Sequence, residues 1–183
     1  YGGSNWTVPR IREAMAYCDA HGLPPFAASS PNVSLARQTE SPWGPDCVTL
    51  SGPENADVRA WYADTGLPVL AWSSLARGFF SGRITSTAFE TAQEQLEENS
   101  VRCYVCDDNR ERLARAEQLS REKGWTVPQV ALAYVLGSPM NLFALVGALD
   151  PREIEANAAV VDTPLSAATR RWLNLETAAK PAA

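Results

Sequence analysis

The chain has 183 residues, 45% of them hydrophobic and 20% charged, which supplies apolar material for one core and predicts a single domain. Its 16 Lys and Arg against 21 Asp and Glu give a net charge of −5, and the cations are scattered among acids, which excludes the basic face that nucleic acid requires. No apolar run approaches the roughly 20 residues of a membrane span, and the N-terminus has neither the basic start nor the apolar block of a signal peptide, so the expected location is cytoplasmic, with no nucleic-acid and no membrane partner.

The chain repeats one unit: a short apolar strand, a polar turn, an amphipathic helix and a Gly or Pro stop. This alternation predicts a parallel sheet with helices packed outside it. A first strand is expected over residues 1–4. The first helix is predicted from Thr7 to His21, with Thr7 as cap, Pro9 in the first turn, an inward stripe of Ile11, Ala14, Met15 and Cys18, and Gly22 as the left-handed stop. A second strand is expected over 25–29. The second helix starts at Ser51, which forms a capping box with Glu54, turns Val58, Trp61 and Tyr62 inward, and ends at Gly66.

The third strand, 69–73, opens with the apolar run Val69, Leu70, Ala71 and Trp72, and reads as buried on both faces. From Gly82 to Asn109 the chain is rich in Thr, Ser, Gln and Glu and reads as a long loop. A helix follows from Asn109 to Lys123, stopped by Gly124, and Thr126 caps another that places Val127, Val130, Ala131 and Tyr134 on one face. The fourth strand is expected over 142–147. Asp150, Pro151 and Glu153 then read as cap, first turn and capping-box partner of a helix carrying Ile154, Ala158 and Val161 inward. A last helix begins near Ser166, and the domain, 1–177, is expected to end in a frayed tail, 178–183.

Cys103 and Cys106 form a C-x-x-C, but neither Cys47 nor His21 completes a zinc ligand set, so loop cysteines kept reduced are the plainer reading and no metal site is expected. Four strand-helix units amount to half of an eight-stranded barrel of about 250 residues. On composition and spacing alone a small open doubly wound sheet stays open as an alternative.

More specific are Gly3-Ser4-Asn5-Trp6 and the run Leu70-Ala71-Trp72-Ser73-Ser74-Leu75-Ala76-Arg77-Gly78-Phe79-Phe80-Ser81-Gly82. With Ala28 to Leu35, the helix from Arg112 to Lys123, Gln129 to Val135, and Gly147-Ala148 followed by Pro151 to Asn157, they occur in the order seen in aldo-keto reductases, and the chain resembles that family over nearly its whole length. The resemblance implies an α/β fold of parallel (β/α) units, the C-terminal half of a TIM-type (β/α)8 barrel. It further implies a nicotinamide dinucleotide, NADP by family default or NAD, lying across the C-terminal strand ends.

On that resemblance Ser4, Asn5 and Ser30 meet the nicotinamide carboxamide, Trp72 stacks on its ring, and Ser73, Leu75, Ala76 and Arg77 wrap the pyrophosphate. Gly147 and Ala148 pass close to the adenosine, and Asn157 contacts the adenine. Read without the resemblance, Ser4 and Asn5 are turn chemistry, Trp72 is core and Arg77 is a solvated charge.

The sequence departs from the family at several points. Ser30 stands where Gln is usual, Glu153 where NADP-preferring members often carry Arg, and Ala156 where a Glu is expected; Arg152 is the only cation near Asp150. The Tyr, Lys, Asp and His that protonate the carbonyl oxygen belong to earlier strands, so no catalytic residue is expected in this chain. His21, Lys123 and Lys180 cannot rebuild that tetrad. The expected function is the cofactor-binding half of a carbonyl-reducing oxidoreductase, completed by a missing N-terminal half or a partner chain. The alternative is a non-catalytic nucleotide-binding or assembly module.

Overall fold

The computed structural model describes residues 1–181. Its centre is a four-stranded parallel sheet of β1 (Gly2–Ser4), β2 (Ala28–Ser30), β3 (Val69–Ala71) and β4 (Leu142–Ala144), in the order β1-β2-β3-β4. The order follows the chain, so each connection carries its helix over and returns a strand beside the previous one, as in half of a barrel. Strand β2 begins three residues later than the spacing predicts; just ahead of it Ala27 N–H donates to the Tyr1 carbonyl.

Helix α1 (Val8–Ala20) has Pro9 in its first turn, Ile11 and Cys18 buried, and the left-handed Gly22 just beyond its end. The capping box expected at Ser51 does not form. The Ser51 hydroxyl instead accepts from Ser34 N–H and donates to Asn32, and a short turn of 3-10 helix, Pro53–Asn55, leads into α2 (Ala56–Thr65). A buried hydroxyl with two tertiary partners is worth more than an exposed cap. Tyr62 on α2 is fully buried, and its phenol meets Ser29 on β2 at 2.8 Å, pinning helix to sheet.

The stretch from Gly82 to Asn109, expected as a loop, contains short helical pieces: a 3-10 turn at Phe89–Thr91, then α3 (Ala92–Gln95) and α4 (Glu98–Tyr104). Cys103 is buried inside α4 and Cys106 caps the next helix, so neither is a plain loop cysteine. Helix α5 (Asp107–Lys123) ends at the left-handed Gly124, and α6 (Val127–Leu136) opens with a full capping box between Thr126 and Gln129. The last helices are α7 (Pro151–Ala158), capped by Asp150, and α8 (Ala167–Leu173), capped by Ser166. The expected frayed tail, 178–183, falls partly outside the described residues; within them Lys180 meets Glu122.

The core lies between the sheet and the helices, where Val69, Ala71, Tyr62, Leu113, Val130 and Leu173 are fully buried. The other face of the sheet is open. Register aligns Ser4 with Ser30 and Leu70 with Phe143, and alternation turns this row away from the helices; Leu70 is 37% and Phe143 54% exposed. The expectation that β3 is buried on both faces is therefore wrong for the described chain: nothing covers Leu70 from the barrel side. The inward stripe expected on α7 is likewise corrected, since Ile154, Ala158 and Val161 are exposed and Val160 is the residue that packs inward.

Candidate functional site

All four strands run the same way, so their last residues share one rim. Ser4 and Ser30 end β1 and β2 in register, Ser73 lies just past β3, and Gly147 just past β4. Beyond β3 and β4 the rim opens into a cleft of about 1100 Å³ between the loop after β3, the start of α6, and the turn into α7. Of the residues singled out from the sequence, Ser73, Leu75, Arg77, Gly147, Ala148 and Asn157 line it. Ala76 is buried behind the loop. Ser4, Asn5, Ser30 and Trp72 lie outside the cleft, toward β1 and β2.

The loop after β3 has unusual backbone geometry. Among the described residues five non-glycine positions have positive φ, and four of them are Asn5 (56°), Ser73 (53°), Ala76 (50°) and Arg77 (53°). Each such conformation costs about 1 kcal/mol or more and persists only where surrounding contacts impose it. Here the Ser73 and Leu75 carbonyls accept from the N–H groups of Ala76 and Gly78, which curls the loop tightly. The N–H groups of Ser74, Leu75 and Arg77 have no protein acceptor among the described residues. Successive unpaired N–H groups in such a curl form a concavity suited to anions.

Asn5 organises the other part of the rim. Its side-chain oxygen accepts from Val48 N–H and from the Trp72 indole N–H, each at 3.2 Å, and that indole is also 3.2 Å from the Ser30 carbonyl. The Ser30 hydroxyl donates back to the Leu70 carbonyl at 2.8 Å. Trp72 is thereby fixed edge-on, with its ring half-buried.

Trp43, for which the sequence predicts no role, lies against that ring with centroids 5.0 Å apart, and the Arg77 guanidinium sits 4.9 Å from the Trp43 centroid. Arg77 is also ion-paired with Glu97 at 2.5 Å. The sequence signal for Trp43 is faint, an aromatic in the turn Ser41-Pro42-Trp43-Gly44-Pro45.

The cleft contains two further cations. Arg83, exposed, donates to Ser81 at 3.2 Å and has no carboxylate partner among the described residues. Arg152 is bound through two nitrogens to Asp150, at 2.6 and 3.1 Å, which neutralises it and holds the Asp150 carboxyl below its ordinary range. Glu153 accepts from Leu149 N–H at 2.9 Å and so points back at the turn.

The aldo/keto reductase family model matches residues 1–171. The chain belongs to the aldo/keto reductase family. An uncharacterized oxidoreductase of Bacillus subtilis is 28% identical over 111 residues, covering 61% of this chain and 32% of that protein. A probable voltage-gated potassium channel subunit beta of Arabidopsis thaliana is 24% identical over 166 residues, covering 88% of this chain and 46% of its own length. Among solved structures, an aldo-keto reductase from Klebsiella pneumoniae, determined in complex with NADPH, superposes with a TM-score of 0.59 at 20% identity over 96% of this chain and 46% of that one. The chain therefore spans less than half the length of the aldo/keto reductase relatives it matches, and its four strands are a half-barrel of TIM type.

Proposed function

We propose that this chain is the cofactor-binding half of an NAD(P)H-dependent oxidoreductase that reduces a small carbonyl substrate, the reacting acid being supplied by the other half of the barrel. The observation that carries this reading is the clustering of left-handed backbone at Asn5, Ser73, Ala76 and Arg77. These are the positions that family resemblance assigns to the nicotinamide and the pyrophosphate, and backbone strain concentrates where ligands are held. The unpaired N–H groups of the curled loop suit a diphosphate, with Arg83 free of any carboxylate beside it and Arg77 able to serve once it leaves Glu97. Gly147 and Ala148 leave space for an adenosine along the cleft, with Asn157 at its end.

The same geometry sets limits on affinity and choice. Asp150 consumes the charge of Arg152, the cation placed to read a 2′-phosphate, so NADH and NADPH are expected to bind within about tenfold of one another, roughly 1.4 kcal/mol. Trp43 occupies one side of the Trp72 ring, and a nicotinamide stacking there has to displace it. Titrating NADH and NADPH into the chain while following Trp fluorescence tests the proposal. The expected result is quenching by both cofactors, lost in Trp72→Phe and tightened severalfold in Trp43→Ala. Absence of any response in the native chain and in Trp43→Ala would remove the cofactor reading.

The second reading, an assembly module that keeps the fold without turnover, draws on the name of the Arabidopsis relative, a channel subunit. A chain that binds neither cofactor but forms a stable complex with a partner protein would favour it.

A further inference from the structure

A second cleft, of about 510 Å³, lies on the outer helical layer, where α2, α6 and α8 meet. Its walls include Arg59 from α2, Tyr134 from α6, and Arg170 and Arg171 from α8, with Glu176 at one margin. These arginines take no part in the ion pairs formed among the described residues. Three guanidiniums against one carboxylate leave two net positive charges in a concave, partly dry space, an arrangement that repels itself unless something negative completes it.

Each cation is held rather than loose. One terminal nitrogen of Arg59 donates to the Leu50 and Gly52 carbonyls at 2.7 and 2.6 Å, leaving its other nitrogens free. The Nε of Arg170 donates to the Tyr134 carbonyl at 2.9 Å, leaving both terminal nitrogens free. The stem of Arg170 reaches that carbonyl by crossing Gly137, where an added Cβ would stand 2.9 Å from the Arg170 Cδ and 2.9 Å from the Leu165 carbonyl oxygen. Arg171 is exposed, and its guanidinium has no protein partner among the described residues.

Tyr134 adds a neutral group to the same wall. It is only 6% exposed and lines the cleft, yet its phenol takes no hydrogen-bond partner among the described residues. The hydroxyl is open to the cleft rather than enclosed, so solvent meets it and a ligand can take that place. Burial also pushes the Arg170 guanidinium down and the Tyr134 phenol up from their ordinary values.

We propose that the cleft between α2, α6 and α8 is a binding site for a phosphoryl dianion, held by Arg59, Arg170 and Arg171 with the Tyr134 hydroxyl as a neutral donor. The site is separate from the cleft at the strand ends and takes none of its residues. The ligand is either free phosphate or the phosphoryl group of a larger molecule; planar guanidiniums serve both.

The test titrates inorganic phosphate, and in parallel glycerol 3-phosphate, into the 15N-labelled chain at constant ionic strength set with chloride. The arginine Nε–Hε resonances are followed. Saturable shifts at Arg170 and Arg171 are expected, with affinity falling at least about fivefold in Arg171→Gln and about two- to fivefold in Tyr134→Phe. Arg171 is exposed, so its substitution leaves the fold intact and a weaker response reports the site itself. Tighter binding of the ester than of phosphate assigns the site to a phosphoryl group carried on a larger molecule, and the reverse assigns it to free phosphate. Shifts that do not saturate, that appear equally with chloride, or that Arg171→Gln leaves unchanged would overturn the proposal.

Discussion

Asn109 shows how much one side chain contributes to holding this half-barrel together. It is fully buried in the first turn of α5; its oxygen accepts from Arg37 N–H at 2.8 Å, and its amide donates to the Arg37 and Tyr104 carbonyls at 2.7 and 2.8 Å. Replacement by Ala takes the partner from three backbone groups, two part-buried at Arg37 and one buried at Tyr104, so Asn109→Ala is expected to lose about 3 kcal/mol, read as a fall in the urea midpoint. The sequence reading placed Asn109 only as a helix start. Its partner at Arg37 lies 72 positions away, and no local pattern carries that information. The same is true of Trp43: flanked by Pro and Gly it reads as an exposed turn residue, and only the path of its loop brings it against Trp72 and Arg77.

Where an element's ends are set by its own neighbours, they were legible. The Thr126 hydroxyl and the Gln129 side chain cap α6 reciprocally, and Thr126→Ala is expected to cost about 1 kcal/mol, measured by chemical unfolding. The box read at Ser51 and Glu54 fails for a reason sequence spacing does not hold: Asn32 and Ser34 compete for the Ser51 hydroxyl, and Glu54 pairs with Arg37 at 3.1 Å. Helix α7 illustrates the complementary error. Its apolar positions predict an inward stripe, yet Ile154 is 50% and Val161 54% exposed, because a stripe marks a face and says nothing of whether the facing element is present.

For the molecule as a whole, two consequences follow from what is buried and what is open. Burial raises the phenols of Tyr62, Tyr104 and Tyr134 above the ordinary 10.0. The unfolded chain releases these protons near pH 10 while the folded chain retains them, so the unfolded state binds fewer protons and stability falls as the pH rises past 10. The decline is expected to approach about 1.4 kcal/mol per pH unit for Tyr104, with Tyr62 and Tyr134 adding in the same direction. Tyr104→Phe should flatten it without leaving a partner unpaired, since the Tyr104 hydroxyl has none; urea unfolding from about pH 9 to pH 11 measures the slope. Meanwhile β1 and β4 each lack a neighbour on one side, and Phe143, Leu145 and Val146 at the β4 edge are 54%, 49% and 46% exposed. Unpaired edges beside apolar surface drive association. Sedimentation velocity on the 183-residue chain is expected to show concentration-dependent assembly, reduced by Phe143→Lys, and a monomer at every concentration would contradict this.

The alternation of strand and helix, the glycine stops at Gly22, Gly66 and Gly124, and the motifs that mark the family were all determined by residues close together in the chain, because φ preferences, capping and hydrophobic period are local terms. Tertiary structure alone decided which face of each element is covered, that Asp150 neutralises Arg152 and Glu97 pairs with Arg77, that Trp43 stands at the rim, and that three arginines converge outside the sheet. Those outcomes depend on distances between residues tens of positions apart, set by how the elements pack.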